Sequence, residues 1–232
     1  MNSRKVFYLC SALFATLILC SCATVPVKQF YELNYLPGSI VNRQSDKPYP
    51  FVVRLKEFDI EEAYNRQQIV YRQSPFELRY YVYRVWAVKP SRMITDLMYK
   101  HLLNANLTSS VTRRFDEGAK PQYELSGMIE ALEEYDSDEL WFAHVALRIS
   151  LMNTSEGRIV YNRRFDLRKK VIEHDPELVI REMSALVEYA ISQAVQDIDG
   201  KLALEAGIKT KNAATDTVSK SIPDSLNAGG LN

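Results

Sequence analysis

The sequence predicts an α+β fold: a single domain whose mostly antiparallel sheet carries two helices packed on one face. Three observations predict it. Three long segments in the second half alternate apolar and polar residues with period two, which gives strands one buried and one wet face. Two other segments repeat apolar residues with a helical period. A short loop with turn chemistry joins the last two strands, so they should pair antiparallel.

Taken in chain order, residues 30–36 read as a first strand, stopped by Pro37-Gly38. Residues 51–60 read as a second. Residues 68–72 and 77–85 form two more, broken at Ser74-Pro75. A short strand fits 111–114. In the first long strand Tyr123, Leu125, Gly127, Ile129 and Ala131 alternate with Glu124, Ser126, Met128 and Glu130. In the second, Trp141, Ala143, Val145, Leu147, Ile149 and Leu151 alternate with His144, Arg148 and Ser150. In the third, Ile159, Tyr161, Phe165 and Leu167 share a face opposite Asn162, Arg164, Asp166 and Arg168. The turn lies at 153–157.

The first helix spans 91–103, with Ile94, Leu97, Met98 and Leu102 on one stripe and Ser91 as a possible cap. Asp175-Pro176 starts the second: Asp caps, and Pro takes the first helical position. This helix runs to about Leu204 on a stripe of Val179, Met183, Leu186, Ala190, Ala194 and Ile198. The domain therefore covers 30–204, and 205–232, rich in Lys, Thr, Ser, Asn, Ala and Gly, reads as a disordered tail.

The N-terminus reads as an export leader, residues 1–21. Arg4 and Lys5 precede an apolar run over 6–19 that is too short to span a bilayer, which needs about 20 apolar residues. The run ends in Leu19-Cys20-Ser21-Cys22. This resembles the lipobox of bacterial lipoproteins, which makes Cys22 the lipidated residue. The competing register, with Cys20 as acceptor, puts bulky Leu19 directly before the cut. An ordinary secretory leader, or an uncleaved anchor helix, would leave the location outside the cytoplasm unchanged. Ala23, where an Asp tends to hold lipoproteins at the inner membrane, favours the outer membrane, with the domain facing the periplasm. Residues 22–29 are a short lipidated tether, and the eight steps from Cys22 to Phe30 reach at most about 29 Å.

Composition narrows the function. Losing Arg4 and Lys5 with the leader leaves 27 basic against 29 acidic side chains. That balance argues against nucleic acid as a partner. The three cysteines, Cys10, Cys20 and Cys22, all lie in the leader or at the anchor. No disulfide or thiolate metal site is then expected, and no cofactor is implied. His101, His144 and His174 lack metal-ligand spacing and are expected in surface or capping roles. No nucleophile elbow or phosphate-binding Gly run is present. Glu130, Glu133, Glu134, Asp136, Asp138 and Glu139 form an acidic cluster. Paired carboxylates there would serve a hydrolase or hold calcium. The plainer expectation is a solvated strand end and hairpin turn, with no catalytic residues.

Seven aromatics, Tyr64, Tyr71, Phe76, Tyr80, Tyr81, Tyr83 and Trp86, crowd one stretch, interleaved with Arg72, Arg79 and Arg84. They fall on both faces of the strand, so a one-sided core cannot take them all. Exposed Tyr and Arg favour protein contacts, whereas strand propensity alone also favours aromatics. The candidate partner interface is Tyr71, Arg72, Phe76, Arg79, Tyr81, Tyr83, Arg84 and Trp86.

The same stretch carries a family resemblance. Gln68-Ile69-Val70-Tyr71-Arg72, then Glu77-Leu78-Arg79-Tyr80-Tyr81, then Arg84-Val85-Trp86-Ala87 and a helix resemble the ABC-type transport auxiliary lipoprotein family. Phe30-Tyr31-Glu32-Leu33 and the lipobox are similar too. The match spans roughly 30–204 and is strongest over 68–103; Val88-Lys89-Pro90 fits the family's proline only loosely. The resemblance implies a non-catalytic accessory of an envelope lipid transport system. Its implied partners are an MCE-domain protein and ABC transporter components, with the membrane held through the lipid anchor. Contacts to phospholipid and a homo-oligomer stay open. The other reading is a structural or assembly adapter for outer-membrane biogenesis.

Overall fold

The computed structural model describes residues 26–40, 43–113, 120–136, 141–172 and 175–208. The leader, Cys22 and the tail from 209 onward lie outside them. The described chain forms a single α+β domain: a mixed, mostly antiparallel open sheet of nine strands with two helices. The strands are β1 (Gln29–Tyr31), β2 (Tyr49–Leu55), β3 (Asp59–Ile60), β4 (Gln68–Ser74), β5 (Glu77–Trp86), β6 (Thr108–Thr112), β7 (Tyr123–Asp136), β8 (Trp141–Asn153) and β9 (Arg158–Lys170). The helices are α1 (Pro90–Ala105) and α2 (Pro176–Glu205).

β7 is the spine. Along one edge it pairs antiparallel with β8, which pairs antiparallel with β9. Along its other edge β2, β3 and β4 join in succession, all parallel. β6 extends β2, β5 returns antiparallel beside β4, and β1 adds parallel to β5. Antiparallel ladders dominate by length. The parallel joints come from chain that crosses over, which period-two alternation does not reveal.

The expected first strand is shorter than its apolar stretch. Only 29–31 pair, and 32–40 run on without ladder bonds. The expected second strand divides into β2 and β3. β6 starts earlier than expected, at Thr108. Asp175 caps α2 as expected, its carboxylate accepting from Glu177 N–H. Ser91 does not cap α1: the cap position is Lys89, without a side-chain bond, and Ser91 Oγ donates to Glu57 Oε1 at 3.1 Å. The 154–157 turn closes with Gly157 at φ 64°, a left-handed geometry suited to glycine.

One face of the sheet holds the main core. Leu125, Ile129, Val145, Leu147, Ile149 and Phe165 meet Met183, Val187, Ala190 and Ala194 of α2, and α1 adds Ile94, Leu97 and Met98. Gly127 admits the Phe58 ring there, since a Cβ would lie 2.3 Å from it. Asp199 is buried in α2 and accepts from Tyr49 O–H at 2.6 Å and Gln44 N–H at 2.8 Å.

The opposite face carries a second, small apolar cluster of Tyr64, Val70, Ala131 and Ala146. A bulge in β7 creates it. Ile129 faces Leu147 but Ala131 faces Ala146, so one residue is skipped and the alternation reverses. Ala131 therefore leaves the Leu125–Ile129 face, contrary to the sequence expectation.

Candidate docking surface and the buried charges behind it

β4 and β5 form a hairpin whose turn is Pro75-Phe76. The structure divides the eight candidate interface residues. Phe76 is 98% exposed, and Arg79 and Tyr83 are exposed too. Tyr71, Arg72, Tyr81 and Arg84 are half-buried. Trp86 is fully buried in the main core, so it shapes the fold and is not a contact residue. The Tyr71 and Tyr81 rings pack 4.5 Å apart, and the Arg84 guanidinium lies 4.5 Å from the centre of the Tyr81 ring. Tyr80 and Val82, outside that candidate set, are exposed on β5, with the Arg66 guanidinium 3.8 Å from the Tyr80 ring centre. Strand propensity and surface exposure both favour such residues, so the sequence alone could not separate them.

The acidic cluster is the larger correction. Glu133 and Glu134 are buried and do not form a solvated strand end. Asp138 and Glu139 lie outside the described residues. As consecutive residues of β7 the two point to opposite faces, and the bulge decides which face each takes.

Glu133 faces the second cluster. It takes Arg72 Nε at 3.0 Å, Tyr64 O–H at 2.7 Å and His144 Nδ1 at 3.0 Å. His144 Nε2 lies 2.9 Å from Asp166 Oδ1, and Asp166 pairs with Arg164 at 2.9 Å. Arg164 and Arg148 both pair with Glu130. Burial by itself pushes the Glu133 carboxyl up. The hydrogen bonds from His144, Arg72 and Tyr64 outweigh it and hold the group at about 2.

Glu134 faces the main core. Trp141 Nε1 donates to it at 2.5 Å and Tyr81 O–H at 3.1 Å. It has no direct cationic partner at ion-pair distance among the described residues. Burial raises its carboxyl above the ordinary range, and those two donors only partly offset it.

The histidines also depart from expectation. His144 belongs to this buried network. His101 is buried, 3.2 Å from Tyr35 O–H, and burial lowers it to about 4. His174 lies outside the described residues. No signal in the sequence marked Glu133 and His144 as partners; they meet only through the β7–β8 register.

Arg72 connects the network to the hairpin. Its Nη1 donates to Pro75 O at 3.1 Å, and Phe76 N–H donates to Ser74 Oγ at 3.2 Å. The turn that displays Phe76 is thereby tied to a buried carboxylate.

A separate polar cleft of about 610 Å³ lies between α1 and β6, lined by Glu57, Arg92, Asp96, Tyr99 and Arg113 among others. It brings together none of the sequence-predicted site residues. Among the described residues no group of three or more His, Cys, Asp or Glu could hold a metal ion. No described helix is long and apolar enough to cross a membrane.

Comparison with known proteins gives the chain a context. A family model described as the ABC-type transport auxiliary lipoprotein component matches residues 31–198. The structure of protein XCC0632 from Xanthomonas campestris is similar at 17% identity and TM-score 0.64, covering 77% of this chain and 99% of that one. An uncharacterised protein is similar at 12% identity and TM-score 0.55, covering 74% and 99%. Both likenesses bear on the fold alone. The PelC dodecamer from Paraburkholderia phytofirmans has 10% identity and TM-score 0.42, covering 68% and 93%, too low to carry over to this chain. No curated protein matches the chain significantly.

Proposed function

Because the chain belongs to the ABC-type transport auxiliary lipoprotein family, and so to the cell envelope, we propose that it is a non-catalytic docking component of an MCE-type lipid transport system. It faces the periplasm from the outer membrane. Its partners are an MCE-domain protein and the ABC transporter components. The observation that carries the docking role is the exposed flank of β5. Among the described residues, Arg79, Tyr80, Val82 and Tyr83 lie on the stretch of β5 that β1, a three-residue edge strand paired only with residues 84–86, leaves uncovered. Tyr gives a large contact area with little loss of side-chain freedom, Arg adds a fork of donors, and an open edge offers backbone groups to a partner. The fate of the acidic cluster supports the non-catalytic part. Glu133, one of the acids a hydrolase would draw on, is committed to Arg72, Tyr64 and His144 inside the sheet.

Crosslinking the full-length lipoprotein in intact envelopes, then identifying what co-purifies, tests this reading. An MCE-domain or ABC component is the expected product, and Tyr83→Ala should reduce its yield. Recovery of cell-wall or outer-membrane assembly machinery, with no transporter component, would favour the adapter reading instead.

A further inference from the structure

One end of the sheet gathers the most exposed large apolar side chains among the described residues. Phe76 is 98% exposed at the β4–β5 turn, and Ile172 is 93% exposed just beyond β9. Strand register places both at the same end. Arg72 of β4 is level with Tyr135, next to Asp136, which is level with Trp141. Val171 N–H in turn donates to Trp141 O at 2.8 Å. Ile172 therefore sits about level with Ser74, at the foot of the turn that carries Phe76. Lys170 and Arg79 are exposed nearby. Arg79 pairs with Glu77 at 2.5 Å, which leaves Lys170 as the clearer positive charge.

The chain's entry fixes what this end must meet. β1 runs parallel to β5 with Gln29 beside Arg84 and Phe30 beside Val85. β1 is thus entered from the side where β5 begins, the side of the hairpin turn. From Cys22 to Gln29 there are seven residue steps, at most about 25 Å. Gln68 is level with Val85, and from it to Ser74 the hairpin extends six strand steps, about 20 Å, with Pro75-Phe76 beyond. A fully extended tether only just reaches the level of the turn. Any slack brings the turn to the bilayer.

We propose that Phe76 and Ile172 seat this end of the sheet on the bilayer that holds the acyl chains of Cys22, with Lys170 among the headgroups. The inference rests on lipidation at Cys22. Apolar side chains flanked by basic ones are suited to the boundary between headgroup and acyl chain. The turn is built to stay put, since Arg72 holds Pro75 O while itself bound to Glu133. The hairpin then stands upright, and the flank of β5 is left free for a protein partner.

Tryptophan replacements read the depth directly, because the chain's own Trp86 and Trp141 are buried. Phe76→Trp, Ile172→Trp and Ile159→Trp are made in the full-length lipidated protein. Ile159 is 57% exposed and pairs near Met152, at the far end of the sheet. Each is reconstituted into phosphatidylethanolamine–phosphatidylglycerol vesicles with or without brominated acyl chains, against the unsubstituted protein. Emission at positions 76 and 172 is expected to fall roughly twofold on bromination, as burial at the acyl boundary allows, and at 159 not at all. No quenching at 76 and 172 overturns the proposal. Equal quenching at all three overturns the upright orientation. A blue shift that follows protein density and ignores bromine assigns the surface to a second copy and also overturns it. Intact mass of the same sample reports acylation separately: an unacylated chain refutes the anchor, and an acylated chain without quenching refutes the contact.

Discussion

The two faces of the sheet hold their buried acids by opposite means, and Glu133 and Glu134 show it side by side. On the face away from the helices, Glu133 is held by the Arg72 guanidinium, Tyr64 O–H and His144, and stays ionised to about pH 2. On the helix face, the partners of Glu134 among the described residues are an indole N–H and a phenol, and burial drives it toward its neutral form. The helix face is a continuous apolar core that also encloses the carboxyls of Glu134 and Asp199. Among the described residues the other face has a buried apolar cluster of only four, and ion pairs and hydrogen bonds knit much of the surface around it together. Burial alone does not set a carboxylate's behaviour; the charges brought to it by register do.

The helix face should yield the largest loss on truncation. Leu147 is fully buried among core residues. Leu147→Ala is expected to cost about 3–4 kcal/mol, read as a lower urea midpoint with unchanged slope. On the other face, Glu133→Ala strands Arg72 and His144 without their carboxylate. It should cost about 3 kcal/mol, a loss nearly as large from a face with far less apolar burial. If Glu133→Ala proves neutral, the network is decoration and the contrast between faces fails.

pH sharpens the comparison, because the two neighbours have opposite signs. Glu133 is depressed in the folded state from an ordinary 4.5 to about 2. Its contribution is complete above pH 4.5 and disappears as pH falls through 2; in total it is about 3 kcal/mol. Glu134 is raised above 4.5 in the folded state. Its contribution is complete below 4.5 and is lost as pH rises through that raised value. Glu133→Gln should flatten the acid limb of a stability–pH curve, and Glu134→Gln the limb above it. Urea midpoints measured across pH for both variants decide this, and parallel curves would refute the assignment.

The sequence disclosed the two faces unequally. The strands β7, β8 and β9, both helices and the β8–β9 turn could be read from periodicity and turn chemistry, because each depends on local spacing. The second face could not. It hangs on a single skipped residue at Glu130–Ala131, which sends Ala131 and Glu133 to one side and Leu132 and Glu134 to the other. A bulge costs one residue of pattern and leaves no composition signal. Parallel joining of β2, β3 and β4 to β7 is equally silent, since it depends on chain crossing over. Trp86 looked like its exposed neighbours for the same reason: β5 is irregular between its pairings at Tyr80 and Val85, so alternation along it does not predict which side chain turns inward.

The smallest expected effect on stability tests whether the exposed flank belongs to the fold or to a partner. Tyr83 is 44% exposed and is held by neither the main core nor the Glu133 network. Tyr83→Ala should therefore shift stability by no more than about 0.5 kcal/mol. Trp86→Ala, three residues on, should cost about 3–5 kcal/mol because its ring fills the core. If Tyr83 contributes contact area, its variant stays folded and loses only the crosslinked transporter component. A loss of stability approaching that of Trp86→Ala would instead make Tyr83 structural. The flank of β5 would then be part of the wall that supports the hairpin, and the partner would have to be sought on another surface.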